Sequence, residues 1–310
     1  MEEKIEIMNL LQNKQILEHE LQSLAYGSVE IRENNSNKYI YIHYREDGVA
    51  LTKYVGEYSD ELYNLILNNN IKAKQLKKQI REITRNLKQF NYIEEELSAE
   101  VEKNIDFVKR HLVDTIYKQA ILEGVATTFA DTESIIEGGK VNNMTSEDIL
   151  KIVNLKHAWE FILNKNVILS NTNFALLCEI NKMVEEGFYY SAGKIRNVPV
   201  TIGGTTWKSD LPIESVIKEE LEEIFNKEIN DVEKSIELLL YTMKKQIFID
   251  GNKRTSVIYS NHYLISKGKG IIAIPAELTE EFKDLLILYY EGKDENKIKE
   301  FIKEKCYISI

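Results

Sequence analysis

The chain has 310 residues, a mass of 36.1 kDa and a net charge of −10, with 43% hydrophobic and 29% charged residues. That composition supports a buried core and excludes a disordered tail, and the acidic balance weighs against generic nucleic-acid binding by the whole chain. With no run of 18 apolar residues, an acidic start (MEEKIEIM) and only Cys178 and Cys306, the sequence predicts no membrane span, no export signal and no disulfide framework, so a reducing cytoplasm is expected.

No proline occurs before Pro199, which favours long uninterrupted helices in the front of the chain. Ile7, Leu10, Leu17, Leu21 and Leu24 fall at a 3-4 spacing, broken once by Lys14, and Ala73, Leu76, Ile80, Ile83, Leu87 and Phe90 repeat it. Two such seams predict an antiparallel coiled-coil arm. Between them, Val29/Ile31, Tyr39/Tyr41/His43 against Ile40/Ile42/Tyr44, and Val49/Leu51 alternate with period two. Asn34–Asn35–Ser36 and Asp47–Gly48 supply turns, so a three-stranded meander over about 28–56 should tip the arm. Residues 71–90 carry seven lysines and arginines against Glu82. Together with an aromatic strand face (Tyr39, Tyr41, Tyr44), this stripe reads either as a solvated helix face or as a surface for an acidic protein or nucleic acid. His43 reads as a half-buried surface residue.

Helical periodicity then dominates, over 101–126, 146–165, 171–187, 213–226, 231–247, 253–267, 277–291 and 295–305. The division between arm (1–110) and core (111–310) is expected inside one long helix near residue 110. Within the core, 193–212 breaks the pattern. Its extended stretch Asn197–Ile202 and the Gly203–Gly204 turn predict a short β-hairpin, with Trp207 as a packing residue.

The chemistry concentrates in Gln246-Ile247-Phe248-Ile249-Asp250-Gly251-Asn252-Lys253-Arg254-Thr255. An apolar helix ends before a polar loop, Gly251 permits a tight turn, and Asn252 is suited to cap the next helix. The amides that open that helix form an anion site, Lys253 and Arg254 add positive charge, and Asp250 is a hard oxygen donor suited to Mg²⁺. On residue chemistry alone, a polyphosphate site and an ordinary capped helix start both stay open.

This segment resembles the motif of the Fic (Fido) family, H-x-F-x-[D/E]-G-N-[G/K]-R-x-x-R, with Phe248, Asp250, Gly251, Asn252, Lys253 and Arg254 in register. Ser134-Ile135-Ile136-Glu137-Gly138 is similar to the family's inhibitory [S/T]-x-x-x-E-[G/N] motif. Gly193-Lys194-Ile195-Arg196 with Pro199–Gly204 is similar to the flap that aligns a target's main chain through Val200, Thr201, Ile202 and Gly203. The resemblance covers about 110–290. It implies a mainly α Fic core with a β-hairpin flap, and AMP transfer from ATP, with Mg²⁺, to a hydroxyl of a target protein. Asp250 would hold the metal, Gly251, Asn252, Lys253 and Arg254 the phosphates, and Glu137 with Gly138 would inhibit.

Three departures qualify that implication. Gln246 replaces the histidine that takes the hydroxyl's proton, and an amide cannot accept a proton near neutral pH; loss of a general base costs about 10²–10⁴-fold in rate. Val257 replaces the last motif arginine, and Glu133 stands at the inhibitory motif's Ser/Thr position. His262, eight residues beyond Arg254, reads as structural, and Lys244 and Lys245 as solvent-facing. Asn-Lys-Arg-Thr is also similar to the phosphorylating Doc branch, whose motifs lack the glycine present at 251, so the AMP-type orientation is expected. Two functions follow: an adenylyltransferase impaired by its degenerate active site, or a pseudoenzyme that binds nucleotide or a partner as a regulator. The chain's own partnering, including a homodimer, stays open.

Overall fold

The computed structural model describes residues 10, 13–14, 16–18, 20–21, 23–34, 37–46, 49–90, 96–142 and 144–310. The chain divides into two compact units, 1–95 and 96–310.

In the first unit, β1 (Ser28–Asn34), β2 (Asn37–Glu46) and β3 (Val49–Glu57) form an antiparallel meander in the order β1-β2-β3. Helix α1 (Asp60–Gln89) follows, its N-terminus capped by Ser59, whose hydroxyl accepts from the Leu62 amide. Alternation sends Ile40 and Ile42 inward onto Ile66, with Tyr44, Leu62 and Tyr63 around them. The opposite face carries Tyr39, Tyr41 and His43. Tyr44 therefore does not share the aromatic face predicted for it. A bulge between Ile40 and Tyr41 brings Tyr54 opposite Tyr41 instead, with ring centroids 5.4 Å apart and the Arg32 guanidinium 4.4 Å above Tyr41. His43 is half-buried between Thr52 and Glu30.

On α1, Ala73, Leu76 and Leu87 are buried and Ile80 and Ile83 half-buried, while Lys74, Lys77, Lys78, Arg81, Arg85 and Lys88 face solvent. Described residues between Leu10 and Ser23 are helical, and Glu20 pairs with Lys72 of α1 at 2.6 Å. Lys14, the break in the seam, is buried 3.8 Å from Glu18, its aliphatic stem serving where a leucine would. Ile7 and the turn residues Asn35, Ser36, Asp47 and Gly48 lie outside the described residues.

The second unit is helical: α2 (Ala99–Arg110), α3 (Leu112–Leu122), α4 (Phe129–Ile136), α5 (Ser146–Ile162), α6 (Lys165–Ile168), α7 (Phe174–Val184), α8 (Glu214–Asn226), α9 (Asp231–Lys245), α10 (Asn252–Ser266), α11 (Thr279–Tyr290) and α12 (Glu295–Phe301). A small ladder pairs β4 (Ile271–Ile272) with β5 (Tyr307–Ile308). The long helix expected to join arm and core is two helices. Ser98 caps α2 and the chain breaks at His111 (φ −111°) before α3. Val101, Ile105 and Val108 of α2 enter the second unit's core, which puts the division at 95/96 rather than near 110.

Helix α10 runs through the middle of this unit. Apart from the half-buried Lys253, residues Asn252–Ile265 are buried. A helix buried on every side must satisfy its polar side chains internally. Asn261 accepts from the Ile272 amide (2.8 Å) and donates to the Ile272 carbonyl (2.8 Å), and Ser256 donates to the Asn252 carbonyl. His262 Nε2 donates to the Val167 carbonyl (2.9 Å), which leaves Nδ1 to accept from the Thr172 hydroxyl (2.8 Å). Burial holds its pKa below the usual 6.5. It is a structural histidine.

Candidate functional site

The loop 246–251 joins α9 to α10, and most of its residues are held by a neighbour. Gln246 ends α9 in the left-handed region (φ 48°, ψ 59°), a conformation that costs a non-glycine residue free energy and needs outside support. Arg196 supplies it: the Nε donates to the Gln246 carbonyl and the backbone amide to the Ile247 carbonyl. Ile247 and Phe248 are buried in the core. Asn252 then staples the loop, accepting from the Phe248 amide (3.0 Å) and donating to the Phe248 carbonyl (2.8 Å). Asn181 donates to the Asp250 carbonyl and to Thr255 Oγ1, 3.1 Å each.

Because its side chain is used in this staple, Asn252 is not the helix cap that the sequence suggests. Gly251 (φ 72°) is the N-cap, and no side chain caps α10. The amides opening the helix thus lack the usual partner, and the first turn holds Lys253 and Arg254 with no acidic residue. Two cations at the positive end of a helix dipole are unfavourable without nearby negative charge.

Three carboxylates provide it. Arg254 is 2% exposed, and its Nη2 lies 2.7 Å from Oε1 of the equally buried Glu185 and 3.7 Å from Asp250 Oδ2. Glu123 Oε2 lies 3.6 Å from Arg254 Nε, and its Oε1 3.7 Å from Lys253 Nζ. These are charge contacts without hydrogen-bond alignment. Among the described residues, Arg254 Nε and Nη1, both Glu185 oxygens and Glu123 Oε1 are buried and have no hydrogen-bond partner. Burial pushes the Glu185 carboxyl up to about 7; Arg254 opposes that, and Asp250 and Glu123 add to it. Glu185 also explains Gly251. A Cβ there would overlap Glu185 Oε1 and stand 3.0 Å from its carboxyl carbon, on a backbone already at positive φ.

A cleft of about 470 Å³ opens over the start of α10. One wall is the segment Val200–Gly204 and the other is α11, through Lys283, Asp284 and Ile287; Glu123, Gln246, Asp250 and Lys253 form the floor. The predicted flap residues Val200, Thr201, Ile202 and Gly203 therefore meet the motif, but not as a β-hairpin: no strand forms in 193–212. The buried Arg196 organises this loop in place of a ladder, donating to the carbonyls of Val198 (2.8 Å) and Asp210 (2.7 Å) as well as Gln246. Trp207 anchors it, stacking on Tyr290 at 5.4 Å, the packing role expected of it.

Gln246 sits on the floor with its amide committed. Nε2 donates to the Met243 carbonyl (2.7 Å), Oε1 accepts from Asn252 (3.3 Å), and the Tyr290 hydroxyl meets the same side chain. Val257 is buried and, with Thr115, Gln119 and Ile272, lines a small pocket. Glu137 is exposed at the C-terminus of α4, followed by Gly138 at φ 80°. Among the described residues no hydrogen bond or ion pair joins it to 246–254. Lys244 and Lys245 are half-buried rather than free in solvent. Lys244 donates to the Tyr289 carbonyl (2.9 Å) and Lys245 pairs with Glu220.

Glu123 and Glu185 were not foreseen. Both end helices, as the C-caps of α3 and α7, where a carboxylate faces the negative pole of the dipole. That misfit is the signal the sequence offered, but Glu137 ends α4 in the same way, so the signal does not select among them.

The arrangement fits an anionic ligand: an uncapped helix N-terminus, a lysine at the cleft floor, and a buried guanidinium with two unused donors. Asp250 is half-exposed at the floor, its Oδ1 accepting from the Gly251 amide (2.7 Å) and its Oδ2 without a hydrogen-bond donor among the described residues, 3.7 Å from Arg254 Nη2, so it can offer an oxygen to a divalent cation.

Residues 171–264 match the Fic/DOC family model. Similar solved structures include a Fic domain-containing signaling protein from Bacteroides thetaiotaomicron (18% identity, 67% of this chain and 85% of that one, TM-score 0.54). A fragment of Fic-1 from C. elegans matches at 17% identity over 79% of this chain and 77% of that one, TM-score 0.53. A Fic family protein from Desulfovibrio desulfuricans matches at 15% over 66% and 68%, TM-score 0.52. None of the curated proteins compared is detectably similar. At these identities the structural likeness speaks for the fold.

Proposed function

Because the chain carries a Fic/DOC domain, we propose that it binds a nucleoside triphosphate, ATP, with Mg²⁺ at the start of α10, and that its AMP transfer to a protein hydroxyl is crippled by Gln246. The supporting observation is the uncapped α10 N-terminus with the unused donors of Arg254 beneath it. Amides 252–254 and Lys253 would meet phosphate oxygens, and Asp250 would hold the metal. Mg²⁺ there would screen phosphate charge. That screening matters here, because Asp250, Glu123 and Glu185 surround two cations and leave a bare anion little net attraction. The flap wall Val200–Gly203 would face the target's main chain.

Gln246 supports the second reading, a nucleotide-binding regulator without turnover. Its amide is spent on Met243 and Asn252, so it neither accepts a proton nor is free to move toward a substrate. The experiment is paired. Calorimetry with ATP and Mg²⁺ should register binding, weaker by roughly ten- to a hundredfold in Arg254→Met, as expected for lost charge-assisted hydrogen bonds. Labelled ATP with candidate protein targets should give transfer that Gln246→His raises by about 10²–10⁴-fold and Asp250→Ala abolishes. Binding without transfer in both wild type and Gln246→His selects the regulator; absence of binding rejects both readings.

A further inference from the structure

Arg254 sits between two glutamates that do not hold it equally. Glu185, on the C-terminus of α7, is 2.7 Å from Nη2, as deeply buried as the guanidinium and, unlike Glu123, not among the residues that line the cleft. Glu123 lines the cleft and stays 3.6 Å from Nε and 3.7 Å from Lys253 Nζ. Neither distance is that of a charge-assisted hydrogen bond, which closes to about 2.7–2.9 Å. Among the described residues, Arg254 Nε and Glu123 Oε1 are accordingly buried and without a hydrogen-bond partner. Left to themselves, an arginine and a glutamate this close would close into a bidentate pair. That pair would use up the donors an incoming phosphate needs and place a carboxylate at the mouth of the helix N-terminus.

We infer that Glu185 is the positioning residue of this site: by holding Arg254 from beneath, it keeps the guanidinium from closing on Glu123, so that Nε and Nη1 stay available to a phosphate. The inference rests on the reading of the α10 N-terminus as an anion site. The backbone is built around the same contact. Gly251 admits Glu185 against its Cα, Asn181 of α7 ties that helix to the carbonyl of Asp250, and Gln119 donates to the Arg254 carbonyl (2.7 Å) while accepting from the buried Trp159 (2.8 Å). The main chain of Arg254 is thereby fixed, and its side chain has two carboxylates to choose between. Glu185 and Glu123 then have opposite effects on binding, although both are negative charges beside an anion site.

The test uses the full chain with Glu185→Gln, Glu123→Gln and the double variant, titrated with ATP and Mg²⁺, together with ligand-free crystal structures of wild type and Glu185→Gln. Glu185→Gln should weaken binding by about tenfold or more, Glu123→Gln should strengthen it, and the double variant should return at least to wild-type affinity. Simple damage to the fold by Glu185→Gln would not be rescued by a second substitution across the guanidinium. In the ligand-free Glu185→Gln crystal, Arg254 and Glu123 should close to hydrogen-bond distance. Unchanged or tighter binding in Glu185→Gln, or no rescue in the double variant, overturns the inference. Should wild type bind no ATP, the nucleotide reading fails. The two crystal structures still decide the inference: an Arg254 that stays clear of Glu123 without the Glu185 carboxylate overturns it.

Discussion

Position 251 shows how a motif glycine acquires its necessity from a residue outside the motif. Its φ of 72° disfavours any side chain, and the space above its Cα belongs to the Glu185 carboxylate. A left-handed alanine costs about 1 kcal/mol relative to glycine, so Gly251→Ala with the added overlap should destabilise the chain by more than about 2 kcal/mol in denaturant titrations. Combined with Glu185→Ala, the penalty for the alanine should fall back toward the backbone cost, a coupling of about 1 kcal/mol or more between neighbours in contact. Additive losses would show that Glu185 gives way easily, and that the conformation, rather than the carboxylate, selects glycine. Asp250, Gly251, Lys253 and Arg254 stand together at the start of α10 because they are adjacent in the sequence, although their residue types alone suit an ordinary helix start as well as a phosphate site. Asn252 was misread in detail. It is a good capping residue by type, yet its side chain serves Phe248, and that diversion is what leaves the helix uncapped. Glu123 and Glu185 were illegible because they come from the ends of α3 and α7, and sequence distance hides a charge cluster assembled by tertiary packing.

At the scale of elements, α10 carries the site at one end and the core along its length. Its register was readable from the loop that precedes it, whereas its surroundings were not. A helix buried on every side has no apolar stripe, and Ser256, Ser260 and Asn261 look in sequence like a solvent face. The flap failed for a related reason: Asn197–Ile202 has strand-like residues, but Arg196 satisfies the nearby carbonyls and no ladder is needed. His262 gives the element a pH dependence of determined sign. Burial depresses its folded pKa below 6.5, so in acid the unfolded chain takes up a proton that the folded one refuses. Its contribution to stability is present above about pH 6.5 and is lost as pH falls below it. Comparing melting temperatures at pH 7.5 and 5.5 should show a smaller acid-side drop in His262→Gln than in wild type, since the amide can keep the donation to Val167 without titrating. An equal drop in both proteins would place the proton elsewhere.

At the scale of the molecule, each unit carries its own core. The first is centred on Ile40, Ile42 and Ile66, and the second spans residues from Val101 to Cys306. Every residue assigned to the site, from Glu123 to Tyr290, belongs to 96–310. The sequence set the division near 110 because periodic residues run on across it, and periodicity cannot tell one long helix from two joined at His111. The capping serine at 98 is the better marker of where the second unit begins. Two cores without shared residues should unfold in two steps rather than one. The smaller core of the first unit should melt first, since less apolar area leaves water when it folds. Calorimetry of the full chain and of a fragment spanning 96–310 tests this. The fragment should lose the lower transition, keep the upper one within about 2 °C, and bind ATP with Mg²⁺ as the full chain does. A fragment that melts well below the upper transition would show that α2 to α12 depend on the first 95 residues for their stability. A fragment that keeps its melting temperature but loses nucleotide would instead place part of the binding function in the arm.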